Sequence, residues 1–137
     1  MVLMKTRTIK QIVLIPASPL EVFDAYTDPI KHSEFTGSEA TGEPVIGGGF
    51  TAWAGYIEGK YLELKPERRI VQEWRGGDFP DGSVSSRLEI ELRVVDGGTE
   101  LNIVHSGVPE ELAADIEQGW IDFYWEPMKK YFLKKRV

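Results

Sequence analysis

The sequence predicts an α+β fold in which a curved antiparallel sheet wraps around a long C-terminal helix. Three observations predict this class: a strand followed by two short capped helices, a central run of strand patterns, and a final amphipathic segment rich in aromatic residues. A chain of 137 residues can bury a real core as one domain, so we expect residues 1–137 to form a single domain.

The N-terminal part predicts one strand, Thr6 to Ile15, and then two short helices. The stretch Ser18–Glu21, SPLE, is typical of a capping box with proline at the first helical position. Asp28-Pro29 repeats the cap and the proline, which predicts a second helix that runs to about Phe35 and stops near Gly37.

The middle of the chain predicts successive antiparallel strands, about six in all. Trp53–Tyr56 is typical of a tight hairpin turn, with Gly55 supplying the positive φ. Lys65–Arg68 predicts a second turn. From Val84 to Val94 apolar side chains alternate with polar ones, which predicts a strand with one buried and one solvated face. A further strand is expected from Thr99 to Ser106.

The glycine run Gly47–Gly49 raises the question of a phosphate site. A P-loop needs Gly-Lys-Ser/Thr at the start of a helix, and a dinucleotide fold also needs a helix after its glycines. Here the strand-like segment Phe50–Trp53 follows. We therefore interpret the run as an irregular entry into a strand.

The last element is predicted to be a helix of about 20 residues, roughly 30 Å long, that starts after Pro109. Pro127 lies inside it and cannot donate a backbone hydrogen bond, so we expect a bend between Phe123 and Pro127. Its apolar stripe consists of Leu112, Ile116, Trp120, Phe123, Tyr124, Met128, Tyr131 and Phe132.

Composition excludes several classes of function. The net charge of −6 argues against a nucleic-acid binder. No apolar run approaches the ~18 residues that a membrane span needs. The N-terminal stretch MVLMKTRTIK lacks a signal-peptide pattern and the chain has no cysteine, so we expect a cytoplasmic protein. The two histidines, His32 and His105, show no metal-ligand spacing, and we expect no metal or cofactor.

Five stretches together resemble the C-terminal domain of the activators of the heat-shock protein 90 ATPase and its stand-alone homologues. They are SPLEVFDAYTDP, GGGFTAWAGYIEGKYLELKPERRIVQEWR, GGTEL, HSGVP and QGWIDFYWEPMKKYF, between Thr6 and Phe132. The resemblance implies the START-like (Bet v 1-like) helix-grip fold of the SRPBCC superfamily. It also implies a mostly architectural role for Gly48, Phe50, Gly59, Leu64, Pro66, Glu67, Trp74, Leu101, Gly107, Gly119 and Trp120.

The two-domain activators that the chain resembles carry a separate N-terminal domain, which makes their main contact with the chaperone. This chain starts directly at strand one. We therefore expect little or no stimulation of a chaperone ATPase by this chain alone. Saturable stimulation in a titration would contradict that expectation.

Two classes of function stay open at this point. The first is a non-catalytic domain that binds a hydrophobic small molecule, a chaperone or other protein, or both. The second is an enzyme of the same fold, cyclase-like or hydrolase-like, that uses polar groups in its cavity. A cavity in which His105 meets a carboxylate favours the enzyme, and a dry, filled core favours a partner-binding module. No catalytic residue is assigned.

The candidate ligand cavity lies between the final helix and the sheet. We expect Trp120, Phe123 and Tyr124 to line it from the helix, and Ile103 and His105 from the sheet. A neutral imidazole both donates and accepts, so His105 could orient a ligand carbonyl or hydroxyl. The alternatives are a histidine that only satisfies a buried neighbour and aromatic rings that fill a dry core.

Trp53 and Tyr56 are the candidates for contact with a protein partner. They flank the hairpin turn, where burial is harder, and an exposed aromatic pair suits a protein interface. The alternative is packing against a neighbouring loop. A triad of Ser106 with His105 is excluded, because adjacent strand residues point to opposite faces.

Overall fold

The computed structural model describes residues 5–135 and contains one seven-stranded antiparallel sheet of order β1-β7-β6-β5-β4-β3-β2. The signal-peptide expectation concerns residues 1–10, and residues 1–4 of these lie outside the described range. The strands are β1 Thr6–Ile15, β2 Thr41–Gly42, β3 Gly49–Ala52, β4 Ile57–Lys65, β5 Arg69–Gly76, β6 Ser86–Val95 and β7 Gly98–Pro109. The helices are α1 Pro19–Thr27, α2 Pro29–Thr36, α3 Glu110–Trp120 and α4 Glu126–Lys135, with a π-helical turn, Ile121–Trp125, between the last two. The predicted order of elements is confirmed.

The caps of the two short helices are those that the sequence predicts. The Ser18 hydroxyl accepts a hydrogen bond from the Glu21 amide, and the Glu21 carboxylate accepts one from the Ser18 amide. The Asp28 carboxylate accepts from the Ile30 amide at 2.8 Å and so caps α2. Gly37 ends α2 with a φ of 78°, a left-handed conformation that glycine adopts at low cost.

The concave face of the sheet forms the core with the helices. On β6 and β7 the register pairs Ile90 with Ile103 and Leu88 with His105, and all four side chains are buried. The predicted buried row is wrong at its two ends. Val84 precedes β6 and is 85% exposed, and Val94, beside the hairpin turn that follows, is 73% exposed.

The glycine run enters a strand, as predicted. β3 begins at Gly49, and the Gly48 carbonyl accepts a hydrogen bond from the Tyr61 amide at 2.9 Å. A Cβ at Gly48 would lie 2.1 Å from the Glu43 carbonyl oxygen, so the close approach of two backbones requires glycine there. The hairpin turn after β3 differs from the prediction in its backbone conformation, because Trp53 and Ala54 as well as Gly55 have positive φ.

The final helix is continuous from Glu110 to Lys135 but changes its winding in the middle. Pro127 has no N–H to donate to the Phe123 carbonyl four residues earlier. Just before it, the chain forms the π-helical turn, in which the Glu126 amide bonds to the Ile121 carbonyl five residues back. The distortion expected near Pro127 therefore takes the form of a π-helical turn, and prolines and π-bulges are both sites at which helices kink.

The π-helical turn also corrects the predicted apolar stripe. The wider turn moves the helix out of its regular phase, so that the adjacent residues Tyr124 and Trp125 are both buried. Phe123, which the regular period places inward, is 55% exposed. Trp125, absent from the predicted stripe, is 2% exposed, and its indole N–H donates to the Gln11 side chain at 2.7 Å.

Candidate functional site

The candidate site is a cleft of about 270 Å³ between the final helix and the tips of β3, β4 and β5. We call it the aromatic cleft, because six of its ten lining residues carry aromatic rings. Its lining consists of Trp53, Tyr56, Ile57, Trp74, Asp115, Ile116, Gly119, Trp120, Phe123 and Tyr124.

Ring contacts fix the walls of the aromatic cleft. Trp53, on the hairpin turn, meets Phe123 edge-on at 5.5 Å between ring centroids. On the other side Trp74 of β5 lies 5.9 Å from Trp120 of α3, and Trp120 lies 4.8 Å from Tyr124. These are spacings at which aromatic pairs attract one another, so the walls are mutually supported.

The aromatic cleft owes part of its space to Gly119. This glycine lies on the face of α3 that lines the cleft, where a longer side chain would project into it. A Cβ at Gly119 would meet only the Phe123 ring, at 3.7 Å, which is ordinary van der Waals contact. The empty volume is thus bounded by rings and kept open by a residue without a side chain.

Negative charge lies at the edge of the aromatic cleft. Asp115 is the one ionised side chain among the described lining residues, and it is exposed. The Tyr56 hydroxyl donates to the Asp78 carboxylate at 2.6 Å. This hydrogen bond raises the pKa of Tyr56, so the phenol stays neutral and oriented.

His105 lies behind the cleft wall, fully buried, and outside the lining. Both ring nitrogens are used within the core. The Trp120 indole N–H donates to Nδ1 at 3.1 Å, which leaves the proton on Nε2, and Nε2–H donates to the Ser86 hydroxyl at 2.8 Å. Ser86 in turn donates to the Trp74 carbonyl. Burial lowers the pKa of His105 to about 3.

The sequence predicts that His105 and Ile103 line the cavity, but in the structure neither residue belongs to the cleft lining. Both side chains face the concave side, as the alternation along β7 predicts, but Trp74 and Trp120 separate His105 from the cleft. The sequence does not predict the Ser86–His105 hydrogen bond, although Ser86 lies on the face of β6 that is predicted to be buried. Its hydroxyl is 2.8 Å from the imidazole and closed off from solvent, so it has no route to a substrate.

A second buried network reaches the cleft through Tyr124. His32 Nδ1–H donates to the Tyr26 carbonyl at 2.9 Å, so Nε2 accepts from the Tyr124 hydroxyl at 3.0 Å. The Tyr26 hydroxyl donates to Gln72. Desolvation lowers the pKa of His32 and raises that of Tyr124, so both are neutral near pH 7. Tyr124 thus presents its ring to the cleft while its hydroxyl is bonded inward.

The structure joins two sites that the sequence analysis kept apart. Three of the predicted cavity residues, Trp120, Phe123 and Tyr124, and both predicted partner-contact residues, Trp53 and Tyr56, line the same cleft. Trp53 is partly buried against Phe123, whereas Tyr56 is 48% exposed.

Two other kinds of site, a metal centre and a membrane-spanning helix, are absent from residues 5–135. No three histidine, aspartate or glutamate side chains in this range are grouped so that they could hold a metal ion. Within the same range no helix has both the length and the apolar character of a membrane span. Every buried side-chain nitrogen and oxygen that the structure describes has a hydrogen-bond partner.

The family model and the similar sequences of known proteins point to the same family. The family described as Activator of Hsp90 ATPase homolog 1-like protein matches residues 16–132. The human Activator of 90 kDa heat shock protein ATPase homolog 1 is 33% identical over 127 residues, which cover 91% of this chain and 36% of that protein. A Dictyostelium discoideum homologue is 34% identical over 117 residues, or 84% of this chain and 30% of that protein. The chain spans about a third of the length of these relatives.

Comparison with solved structures confirms the fold. The crystal structure of an HSP90 activator from Plasmodium falciparum superposes with a TM-score of 0.80 and covers 93% of this chain and 95% of its own. The identity is 21%, so this likeness concerns the fold alone. The architecture is the START-like helix-grip fold that the sequence predicts.

Proposed function

This chain belongs to the Activator of Hsp90 ATPase homolog 1-like family, and we propose that it acts as a non-catalytic binding domain whose aromatic cleft holds a small hydrophobic molecule. The cleft itself carries this proposal. Six rings bound about 270 Å³ of space beside a core in which the other large side chains are packed. Ligand sites are concave, mostly apolar and supplied with few polar groups.

The size of the aromatic cleft limits the ligand. An apolar cavity of about 150 Å³ accommodates benzene. The larger space here suits a ring with a substituent, or two small fused rings. Its walls are aromatic side chains with few rotatable bonds, whose ordering on binding costs little entropy.

The backbone at the hairpin turn supports a binding role for this end of the sheet. Trp53 and Ala54 have φ values of 54° and 55°, which cost free energy for residues with a Cβ. The Ala54 amide donates to the Glu39 carbonyl at 3.0 Å and holds the turn. Strain of this kind is typical of functional sites, and here it positions Trp53 over the cleft.

The polar groups of the core support a non-catalytic role. His105 and His32 are the only imidazoles, and each has both nitrogens bonded to buried partners. A general base must reach a substrate proton through direct or one-water contact. Neither histidine belongs to the cleft lining.

Filling the aromatic cleft with Gly119→Leu is expected to abolish ligand binding without destabilising the fold. Leucine has a higher helix propensity than glycine, by up to about 1 kcal/mol, and its Cβ has room. The side chain then displaces apolar ligand groups worth about 0.8 kcal/mol per CH₂, so we expect a loss of tenfold or more in affinity. The measurement is a titration with uncharged N-phenyl-1-naphthylamine, whose fluorescence rises in apolar surroundings.

The matched control is Ala114→Leu, which adds the same side chain at an exposed position of α3 outside the cleft lining. This variant should bind the probe like the wild type. Equal affinities of wild type and Gly119→Leu, with urea unfolding confirming both folds, would contradict the proposal. Native mass spectrometry of freshly purified wild type gives a second readout, since a co-purifying small mass should be lost in Gly119→Leu.

A second candidate function is contact with an Hsp90-type chaperone, and family membership favours it. The exposed rings of Phe123 and Tyr56 at the cleft edge offer an aromatic anchor of the kind found at protein interfaces. Titration calorimetry with an Hsp90 chaperone tests it. Binding that Phe123→Ala weakens, without marked ATPase stimulation, would support this candidate, and no measurable binding would contradict it.

A further inference from the structure

The charge distribution of the aromatic cleft carries information about its ligand. Of the ten lining residues, none is lysine or arginine, and the one ionised group is the carboxylate of Asp115. The ion pairs among the described residues do not include Asp115. A carboxylate at an apolar mouth without a cationic partner offers an unpaired negative charge to whatever enters.

The rings of the cleft carry negative charge density on their faces. Trp53, Trp74 and Trp120, three of the four tryptophans in the chain, line it together with Tyr56 and Phe123. Tryptophan is the strongest of the aromatic partners for a cation, and several rings around one cation form the cage that recognises quaternary ammonium groups. The rings and the carboxylate therefore favour the same sign of ligand charge.

A second carboxylate acts through a ring of the cleft. The Tyr56 hydroxyl donates to Asp78 at 2.6 Å. This charge-assisted hydrogen bond makes the phenol oxygen, and with it the ring, more electron-rich. The arginine nearest in sequence to the wall residue Trp74 is Arg75, which is outside the lining. Its guanidinium donates to the carbonyls of Pro80 and Ser83.

We infer that the aromatic cleft selects a small hydrophobic cation, such as an aryl or alkyl ammonium, over uncharged and anionic molecules of the same shape. This inference rests on the proposed function and names the chemical class of its ligand. The ammonium group lies in the mouth between Asp115 and Trp53, the least buried of the three lining tryptophans, and the apolar part lies beside Gly119 and Phe123. The net charge of −6 adds a weak attraction of the same sign.

The test compares three probes of nearly equal shape: phenyltrimethylammonium, tert-butylbenzene and benzenesulfonate. Each is titrated into the wild-type protein, with tryptophan fluorescence and calorimetry as readouts, at an ionic strength of about 0.15 M, where a Debye length of about 8 Å screens distant charges but not a direct contact with Asp115. We expect the cation to bind about two- to fivefold more tightly than tert-butylbenzene, the range that cation–π contacts at an exposed site predict. Benzenesulfonate should bind most weakly.

Asp115→Asn should reduce the affinity for the cation about threefold and leave that for tert-butylbenzene unchanged. Glu117→Gln is the matched control, because it removes one negative charge from an exposed position of the same helix outside the cleft. Equal binding of the cation and tert-butylbenzene, or an equal effect of both variants, would overturn the inference alone. Failure of all three probes to bind would overturn the proposed function as well.

Discussion

Replacing Trp120 with alanine is expected to lower the free energy of unfolding by about 3–5 kcal/mol. Trp120 is 2% exposed, stacks on Trp125 with centroids 5.3 Å apart, and donates its indole N–H to His105. The substitution leaves a large cavity and removes the hydrogen bond to Nδ1. Because small domains have only about 5–15 kcal/mol of stability, the urea midpoint should fall strongly.

Trp53→Ala is the matched control, since Trp53 is only partly buried on the other side of the cleft. Its loss should be near the typical value of about 1 kcal/mol. Should Trp120→Ala not fold, Trp120→Phe keeps most of the packing and leaves the buried Nδ1 without a donor, at a cost of about 1–3 kcal/mol. Wild-type midpoints for both Trp120 variants would show that this tryptophan does not anchor the core.

Acidification is expected to destabilise the protein through His105 over the range from about pH 6.5 down to pH 3. Burial lowers the pKa of His105 to about 3 in the folded state, against an ordinary histidine pKa of about 6.5 in the unfolded chain. Within this range the unfolded chain binds a proton that the folded chain does not, so stability falls as the pH falls. Between about pH 6.5 and pH 4.5 the loss from this residue is roughly 2–3 kcal/mol.

The measurement is urea unfolding of wild type and His105→Gln at a series of pH values. Glutamine can accept from Trp120 and donate to Ser86 but does not titrate, so the variant should lose much of the dependence on pH. The pKa of His32, the other buried histidine, is also lowered, so His32→Gln should likewise reduce the loss of stability on acidification. An unchanged pH dependence in His105→Gln would contradict the assignment. The His105 ring resonances of wild type, followed by NMR, give an independent check.

The candidate site was only partly predictable from the sequence. The sequence predicts the aromatic residues of the final helix and the pair Trp53 and Tyr56 as two separate sites. Neither sequence pattern tells how far apart the two groups lie in space. Their meeting depends on how far the sheet curves, and only then does Trp53 reach Phe123. Nothing in the sequence marks Asp115 as a site residue, since an acidic residue on an exposed helix face is ordinary.

The sequence by itself determined the elements whose signals are local. The capping box at Ser18 and the left-handed end of α2 at Gly37 both follow from hydrogen bonds and backbone preferences within a few residues. The alternation along β7 placed His105 on the buried face for the same reason, because the side-chain period of a strand is two.

Only the tertiary structure decided what each buried side chain contacts. The π-helical turn before Pro127 shifted the phase of the helix, which exposed Phe123 and buried Trp125. The strand register and that helix phase together brought His105 between Ser86 and Trp120, so that the imidazole became a core hydrogen-bonding group rather than a cleft residue. Local patterns specify which face a residue occupies, whereas its partners depend on register and phase set by packing across the whole domain.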